Sequence, residues 1–174
     1  MALLAEGILK LHWDQSVPVN VARIVKQMGV QLQLQSDLPC SATLTITGNN
    51  QAQITLNPHL PHVHQRYVVA HALGHVALHH LRPGMTQALY IGADFRLDFG
   101  LRHEAQANDF ALRLLLPEAA MRYAVATMQA RDAQELAHVF AVPALFVKQR
   151  MADLHLQFAR SSPRHQRGFT VELD

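Results

Sequence analysis

Hydrophobic and polar residues change their spacing several times along this chain of 174 residues, and each change indicates a new element. Val19, Ile24 and Met28 recur at the spacing of one helix face, so we predict a first helix over about 18–28. Gly29 follows directly, and glycine is the residue that most often ends a helix.

Three segments then alternate between apolar and polar residues, which is the pattern of a strand with one buried face. They span about 30–35, 43–47 and 51–56. The Gly-Asn-Asn sequence at 48–50 separates the last two and is typical of a turn, so it predicts a β-hairpin. Together with the first strand, this hairpin predicts a small, largely antiparallel three-stranded sheet.

Helical spacing returns in the rest of the chain. Helices are predicted over 62–80, over 102–116, from Pro117 onward, from the capping residues Asp132 and Glu135 to about 140, and over 144–154. The stretch 85–99 has no regular pattern apart from a short strand candidate at 88–91. This order of elements predicts an α+β fold with a helical C-terminal part, followed by a loose polar tail.

Composition restricts the class of protein. Apolar residues make up 49 % of the chain and charged residues 16 %, which is typical of a globular protein. No apolar run approaches the ~20 residues that a membrane-spanning helix needs. The net charge of +2 is too small to indicate nucleic-acid binding on its own. The single cysteine, Cys40, excludes an internal disulfide and a four-thiolate metal site, so we expect a cytoplasmic protein.

Histidine is unusually frequent, with 12 in the chain. Chance alone would place roughly one pair of them four residues apart, so this spacing by itself is weak evidence for a metal site. His71 and His75 form such a pair on the predicted helix 62–80, where one face would present both imidazoles to a shared metal ion. The alternative is two polar positions on a partly exposed helix.

Gly74 lies between these histidines in the middle of the helix, where glycine costs about 1 kcal/mol relative to alanine. We expect another element, such as the sheet, to pass close to the helix at this residue. Tight packing without any chemistry would explain the same glycine.

A zinc ion held by protein needs at least a third ligand, and the next long helix offers one. Glu104 opens that helix, and Asn108 follows one turn later on the same face. Taken alone, Glu104 is typical of a solvated carboxylate near a helix start. Tyr67, Tyr90 and His103 are further candidates for stabilising a tetrahedral intermediate, although packing or surface positions explain each more simply.

The two segments together resemble the ImmA/IrrE family of zinc metallopeptidases. That family shows a His-Glu-Leu-Gly-His helix after a small sheet, then a Glu-x-x-Ala-Asn-x-Phe-Ala helix that runs into Leu-Leu-Met-Pro. The resemblance covers about 18–156 and implies a zincin-like fold. It also implies that His71, His75 and Glu104 are zinc ligands. His79 and Asn108 occupy positions that could support those ligands.

One position departs from the family pattern. Ala72 stands where the family has a glutamate that takes a proton from the metal-activated water and passes it to the leaving amine. Alanine can do neither, and a positioned general acid–base contributes about 10²–10⁴-fold to the rate. The resemblance therefore implies a chain that binds zinc but is nearly or wholly inactive. Either an active enzyme was deliberately disabled, which the intact ligands favour, or the chain is a natural pseudo-peptidase.

The implied function is hydrolysis of a helix-turn-helix transcriptional repressor. We expect a metallopeptidase-like domain over 1–128, helix-turn-helix-like helices packed on it over 129–160, and a polar tail over 161–174. Nitrogen and oxygen ligands do not by themselves distinguish zinc from manganese or iron.

Two alternative functions stay open. The first is a non-catalytic module that binds a repressor or toxin partner. The second is a DNA-binding regulator that would use Lys148 and Arg150 on the last predicted helix. Residues 144–147, where base-reading side chains would start, are wholly apolar, so direct DNA binding is not expected.

Overall fold

A computed structural model describes residues 2–91, 101–128 and 130–158, and within them the chain folds as α+β. The helices are α1 (Ala2–His12), α2 (Val21–Gln27), α3 (His62–Ala77), α4 (Arg102–Leu115), α5 (Glu118–Thr127), α6 (Ala133–Phe140) and α7 (Ala144–Asp153). The strands are β1 (Gln31–Leu34), β2 (Ala42–Ile46), β3 (Ala52–Leu56) and β4 (Thr86–Leu89). The predicted tail, 161–174, and most of the irregular stretch 85–99 lie outside the described residues.

The sheet is mixed and has four strands in the order β1-β3-β2-β4. The predicted hairpin is confirmed, since β2 and β3 pair antiparallel with Leu44 opposite Ile54. The prediction of three strands was wrong, because β4 adds a fourth strand antiparallel to β2. β1 pairs parallel with β3. Alternation along one segment predicts which face is buried but carries no information about a partner far away in sequence, so it missed both pairings.

Helix α3 packs against both the sheet and α4. Residues 67–75 are therefore buried all round the helix instead of along one stripe. The close approach that Gly74 predicted is present, but the neighbour is α4 and not the sheet. A Cβ atom on Gly74 would lie 3.0 Å from Cδ1 of Phe110 and 3.1 Å from Cα of Ala107. Glycine thus lets the two helices approach closely at the level of the histidine pair.

The structure ends α3 at Ala77, three residues before the predicted end. Leu78 is the capping residue, and His79 adopts the left-handed conformation with φ at +54°. A left-handed residue commonly ends a helix, but it is usually glycine, so a histidine at this position is not a recognisable stop signal.

Helix α1 was not predicted. It packs on α4, and Ala5, Ile8 and Leu9 are buried while Leu3 and Leu11 stay exposed. Apolar side chains on both faces, together with Gly7 in the middle, weaken the helical pattern in the sequence. None of the described helices is long and apolar enough to cross a membrane.

The C-terminal helices confirm the predicted cap of α6. The Asp132 carboxylate accepts hydrogen bonds from the backbone N–H groups of Gln134 and Glu135. Glu135 accepts from the backbone N–H of Arg131 instead of Asp132, so the reciprocal half of a capping box is displaced by one residue. The Arg66 guanidinium of α3 donates to the carbonyl of Ala141 after α6 and thereby connects α6 to α3.

Candidate metal centre

Two buried imidazoles and one carboxylate converge between α3 and α4. Nε2 of His71 lies 3.0 Å from Nε2 of His75 and 3.0 Å from Oε2 of Glu104. Nε2 of His75 lies 3.4 Å from the other carboxylate oxygen. One potential ligand atom from each residue falls within 4.8 Å of the others. His71 and His75 are buried, whereas Glu104 is partly exposed and gives the cluster an opening to solvent.

Local structure explains this convergence. A four-residue separation places His71 and His75 one turn apart on α3, with their rings 4.7 Å apart. Glu104 lies in the first turn of α4. The close approach at Gly74 brings that turn against the histidines, although Glu104 is 29 positions beyond His75 in the sequence.

The electrostatics keep the side chains in the form that a cation needs. Burial, reinforced by the neighbouring His71, lowers the pKa of His75 to about 4, so this imidazole is neutral near pH 7. The hydrogen bond with His71 lowers the pKa of Glu104 to about 2, so this carboxylate stays ionised. Neutral imidazole and ionised carboxylate are the species that coordinate a divalent metal.

The donor set fits zinc. Two nitrogen ligands and one oxygen ligand are the protein contribution of a known class of catalytic zinc site, which keeps a fourth position for water or substrate. No thiolate takes part, because the buried Sγ of Cys40 lies against the carbonyl of Ala42 at the start of β2.

Gln87 of the edge strand β4 completes the surroundings of the carboxylate. Its Nε2 donates to Oε1 of Glu104 at 2.9 Å. This hydrogen bond also favours the ionised form of Glu104. Gln87 was not predicted, since a glutamine in an unpatterned stretch gives no sign of its partner.

A cavity of about 220 Å³ opens on one side of the cluster and is lined by His71, Glu104, Tyr67 and Asn108, among others. Asn108, which we expected to support the ligands, accepts a hydrogen bond from the buried Tyr67 hydroxyl. Burial raises the pKa of Tyr67, which therefore stays protonated. Tyr90 also lines the cavity but is largely exposed. A larger cavity of about 420 Å³, lined by parts of α2, β1 and α3, does not include the histidine–glutamate cluster.

The residue beside His75 is His80 and not the expected His79. His79 is itself the left-handed residue, and it is exposed. Nδ1 of His80 lies 3.0 Å from Nδ1 of His75, and its Nε2 lies 3.1 Å from Oε1 of Gln106. His103, a candidate for an intermediate-stabilising group, instead stacks on the His80 ring with the centroids 4.3 Å apart.

Ala72 is fully buried next to His71 on α3. Its methyl group has no acid–base chemistry, so the position immediately beside the first histidine supplies no proton acceptor.

The basic residues of α7 do not form a joint surface. Arg150 is 2 % exposed, and its Nε donates to the carbonyl of Leu116 at the end of α4, whereas Lys148 is exposed. Arg150, one of the two residues that a DNA-binding helix would offer, therefore points into the protein interior.

A family model described as the IrrE N-terminal-like domain, Peptidase M78, matches residues 25–152. Among solved structures, a Mycobacterium tuberculosis transcriptional regulator superposes with a TM-score of 0.60 at 19 % identity. The match covers 96 % of this chain but 48 % of that regulator, so the chain spans about half of its length. At this identity the likeness shows the fold alone. No curated protein gave a significant match.

Proposed function

This chain belongs to the family of IrrE N-terminal-like domains, Peptidase M78, and on that premise we propose that it is a zincin-like metallopeptidase domain. We infer that His71, His75 and Glu104 are its zinc ligands. The observation that carries the proposal is the meeting of two buried imidazoles and one carboxylate from separate helices. Burial of these polar groups costs free energy because they lose their contacts with water. A bound cation offsets that cost.

A zinc ion held by His71, His75 and Glu104 would supply the Lewis acid that activates water for attack on a peptide carbonyl. The chain's own residues prepare the site for it. His71 and His75 offer nitrogen lone pairs, Glu104 offers an ionised carboxylate, and Gln87 holds one oxygen of that carboxylate. The Tyr67 hydroxyl donates a hydrogen bond to Oδ1 of Asn108, which fixes both side chains at the cavity wall.

Ala72 determines how fast the proposed reaction runs. With no carboxylate at this position, the residue that follows His71 in α3 offers no group to accept a proton from the attacking water or to deliver one to the leaving amine. The loss of such a group lowers a rate by about 10²–10⁴-fold. The chain as it stands therefore holds substrate and cleaves it slowly or not at all.

The proposed substrate is a helix-turn-helix transcriptional repressor in the cytoplasm. We propose 1–128 as the metallopeptidase-like domain and 129–160 as helices that pack on it. The solved relative of similar fold is a transcriptional regulator, which agrees with a regulatory setting for this fold.

A second candidate function is a binding module that holds a repressor or toxin partner in the same cavity without cutting it. Ala72 is the observation that favours it. The buried Arg150 argues against the remaining alternative, a DNA-binding regulator that reads bases with α7.

Restoring the carboxylate separates the first two candidates. Ala72→Glu and Ala72→Gln add side chains of the same size. Only the glutamate carboxylate can act as a base, because the glutamine amide does not accept a proton near neutral pH. Each is incubated with zinc and the co-encoded helix-turn-helix repressor, and products are identified by mass spectrometry. We expect cleavage at a defined bond with Ala72→Glu alone, abolished by a second change, Glu104→Gln. Equal cleavage by Ala72→Gln would contradict the proposed mechanism. If the repressor binds stably and no variant cleaves it, the chain is a binding module and not a peptidase.

A further inference from the structure

The C-terminal end of α3 returns the chain onto His75. After Leu78, the left-handed His79 reverses the backbone, and the N–H of His80 donates to the carbonyl of His75 at 3.0 Å. The N–H of His79 donates to the carbonyl of Val76 at 3.1 Å. This pair of bonds is the Schellman ending of a helix. Its consequence here is that His80, five residues beyond His75, lies beside it with the rings 5.0 Å apart.

Once Nε2 of His75 is a metal ligand, the hydrogen-bond geometry determines where each proton lies. Nε2 of His75 faces His71 and Glu104, so it must be unprotonated to bind a metal, and the ring proton is on Nδ1. That Nδ1–H points at Nδ1 of His80 and needs an acceptor there. His80 must then carry its own proton on Nε2, where Oε1 of Gln106 accepts it. One arrangement of protons satisfies all three side chains.

Helix α4 holds the far end of this chain of hydrogen bonds. Gln106 is the terminal acceptor, and His103 stacks on the His80 ring with an angle of 19° between the planes. The same helix supplies Glu104. The other imidazole has no comparable support, because Nδ1 of His71 is buried without a hydrogen-bond partner among the described residues.

We propose that His80 is a positioning residue that fixes the Nδ1–H tautomer of His75 and so directs its Nε2 lone pair into the metal centre. The relay His75–His80–Gln106 orients one ligand of the centre, whereas the other histidine depends on packing. This inference rests on the proposed function, in which His75 is a zinc ligand. Partners that orient a metal-binding histidine contribute about 10–100-fold to metal affinity.

Nitrogen-15 NMR of the unaltered, zinc-loaded chain tests the tautomers directly. We expect His75 to carry its proton on Nδ1 and His80 on Nε2 near neutral pH. A proton on Nδ1 of His80, or on Nε2 of His75, would overturn the relay. This measurement does not depend on any variant folding.

Three variants test the consequence for affinity, measured by competition with a chromophoric zinc chelator. His80→Leu removes the acceptor and should weaken zinc binding by about 10–100-fold. His80→Asn keeps an oxygen at the position of Nδ1 and should recover most of the affinity. His79→Asn alters the exposed neighbour, keeps the left-handed turn and should change nothing.

The outcomes separate the two proposals. If the unaltered chain binds zinc but His80→Leu binds it equally well, His80 has no positioning role and the zinc site stands. If His80→Asn is as weak as His80→Leu, the acceptor is not what matters and the relay is wrong. If the unaltered chain binds no zinc at all, the proposed function itself fails.

Discussion

Two helix pairs of this chain, α3–α4 and α6–α7, each contain a recognisable functional pattern, and they bury polar groups in different ways. In α3–α4, His71, His75 and Glu104 point into one shared space, with ligand atoms 3.0–3.4 Å apart. In α6–α7, the buried charge is Arg150, which turns away from solvent to donate to a backbone carbonyl.

The difference shows what distinguishes a site from a pattern. Side chains of the first pair converge and leave an opening at Glu104, so they can take up something from outside. The buried side chains of the second pair, chiefly Phe140, Phe146 and Val147, fill the interior. The first arrangement indicates chemistry, and the second indicates packing.

Arg150→Ala should give the largest effect on stability. It removes a buried side chain and leaves the Leu116 carbonyl without its donor, so we expect the free energy of unfolding to fall by about 2–4 kcal/mol. Urea denaturation measures it. Lys148→Ala, on the exposed face of the same helix, should stay within about 0.5 kcal/mol of the unaltered chain. If instead Arg150→Ala left stability intact and abolished DNA binding, α7 would be a recognition helix and the contrast between the pairs would disappear.

Gly74→Ala tests how the first pair is held together. The added Cβ meets Phe110 and the Ala107 backbone at 3.0–3.2 Å, so α4 must move and take Glu104 with it. We expect a loss of about 1–3 kcal/mol in stability, together with weaker zinc binding. Gly7→Ala is the matched control, because nothing lies within 4 Å of a Cβ there. It should gain up to about 1 kcal/mol through helix propensity. Unchanged zinc affinity in Gly74→Ala would show that the helix spacing does not set the site.

Ala141→Gly should have the smallest effect and the opposite sign. Ala141 follows α6 with φ at +50°, a conformation that disfavours any residue with a Cβ. Glycine should raise the melting temperature, by an amount that corresponds to about 0.5–1 kcal/mol, without changing zinc affinity. Ala126→Gly, at an exposed helical position of α5, should lower it instead. A lowered melting temperature in Ala141→Gly would show that the left-handed turn is not strained.

Much of the fold could be predicted because its signals are local. Alternation gave the β2–β3 hairpin, and the side-chain cap at Asp132 gave the start of α6. The parallel pairing of β1 and the addition of β4 depend on contacts between distant segments, which no local pattern encodes. The α+β class and the helical C-terminal part are therefore confirmed, and the strand count was not.

The site divides in the same way. Spacing together with the family resemblance singled out His71, His75 and Glu104, and the structure brings these three together. Their role as ligands stays a prediction. His80 was overlooked because a histidine, not a glycine, takes the left-handed position that ends α3. Gln87 and Gln106 were overlooked because their partners are known only once β4 and α4 are in place.

Zinc K-edge X-ray absorption of the chain loaded with one equivalent of zinc tests the central claim most directly. Convergence of His71, His75 and Glu104 predicts a coordination shell of nitrogen and oxygen atoms only, with the outer scattering of two imidazoles, and loss of that signal in a His71→Ala, His75→Ala double variant. A sulfur ligand, or a shell of oxygens without imidazole scattering, would contradict it.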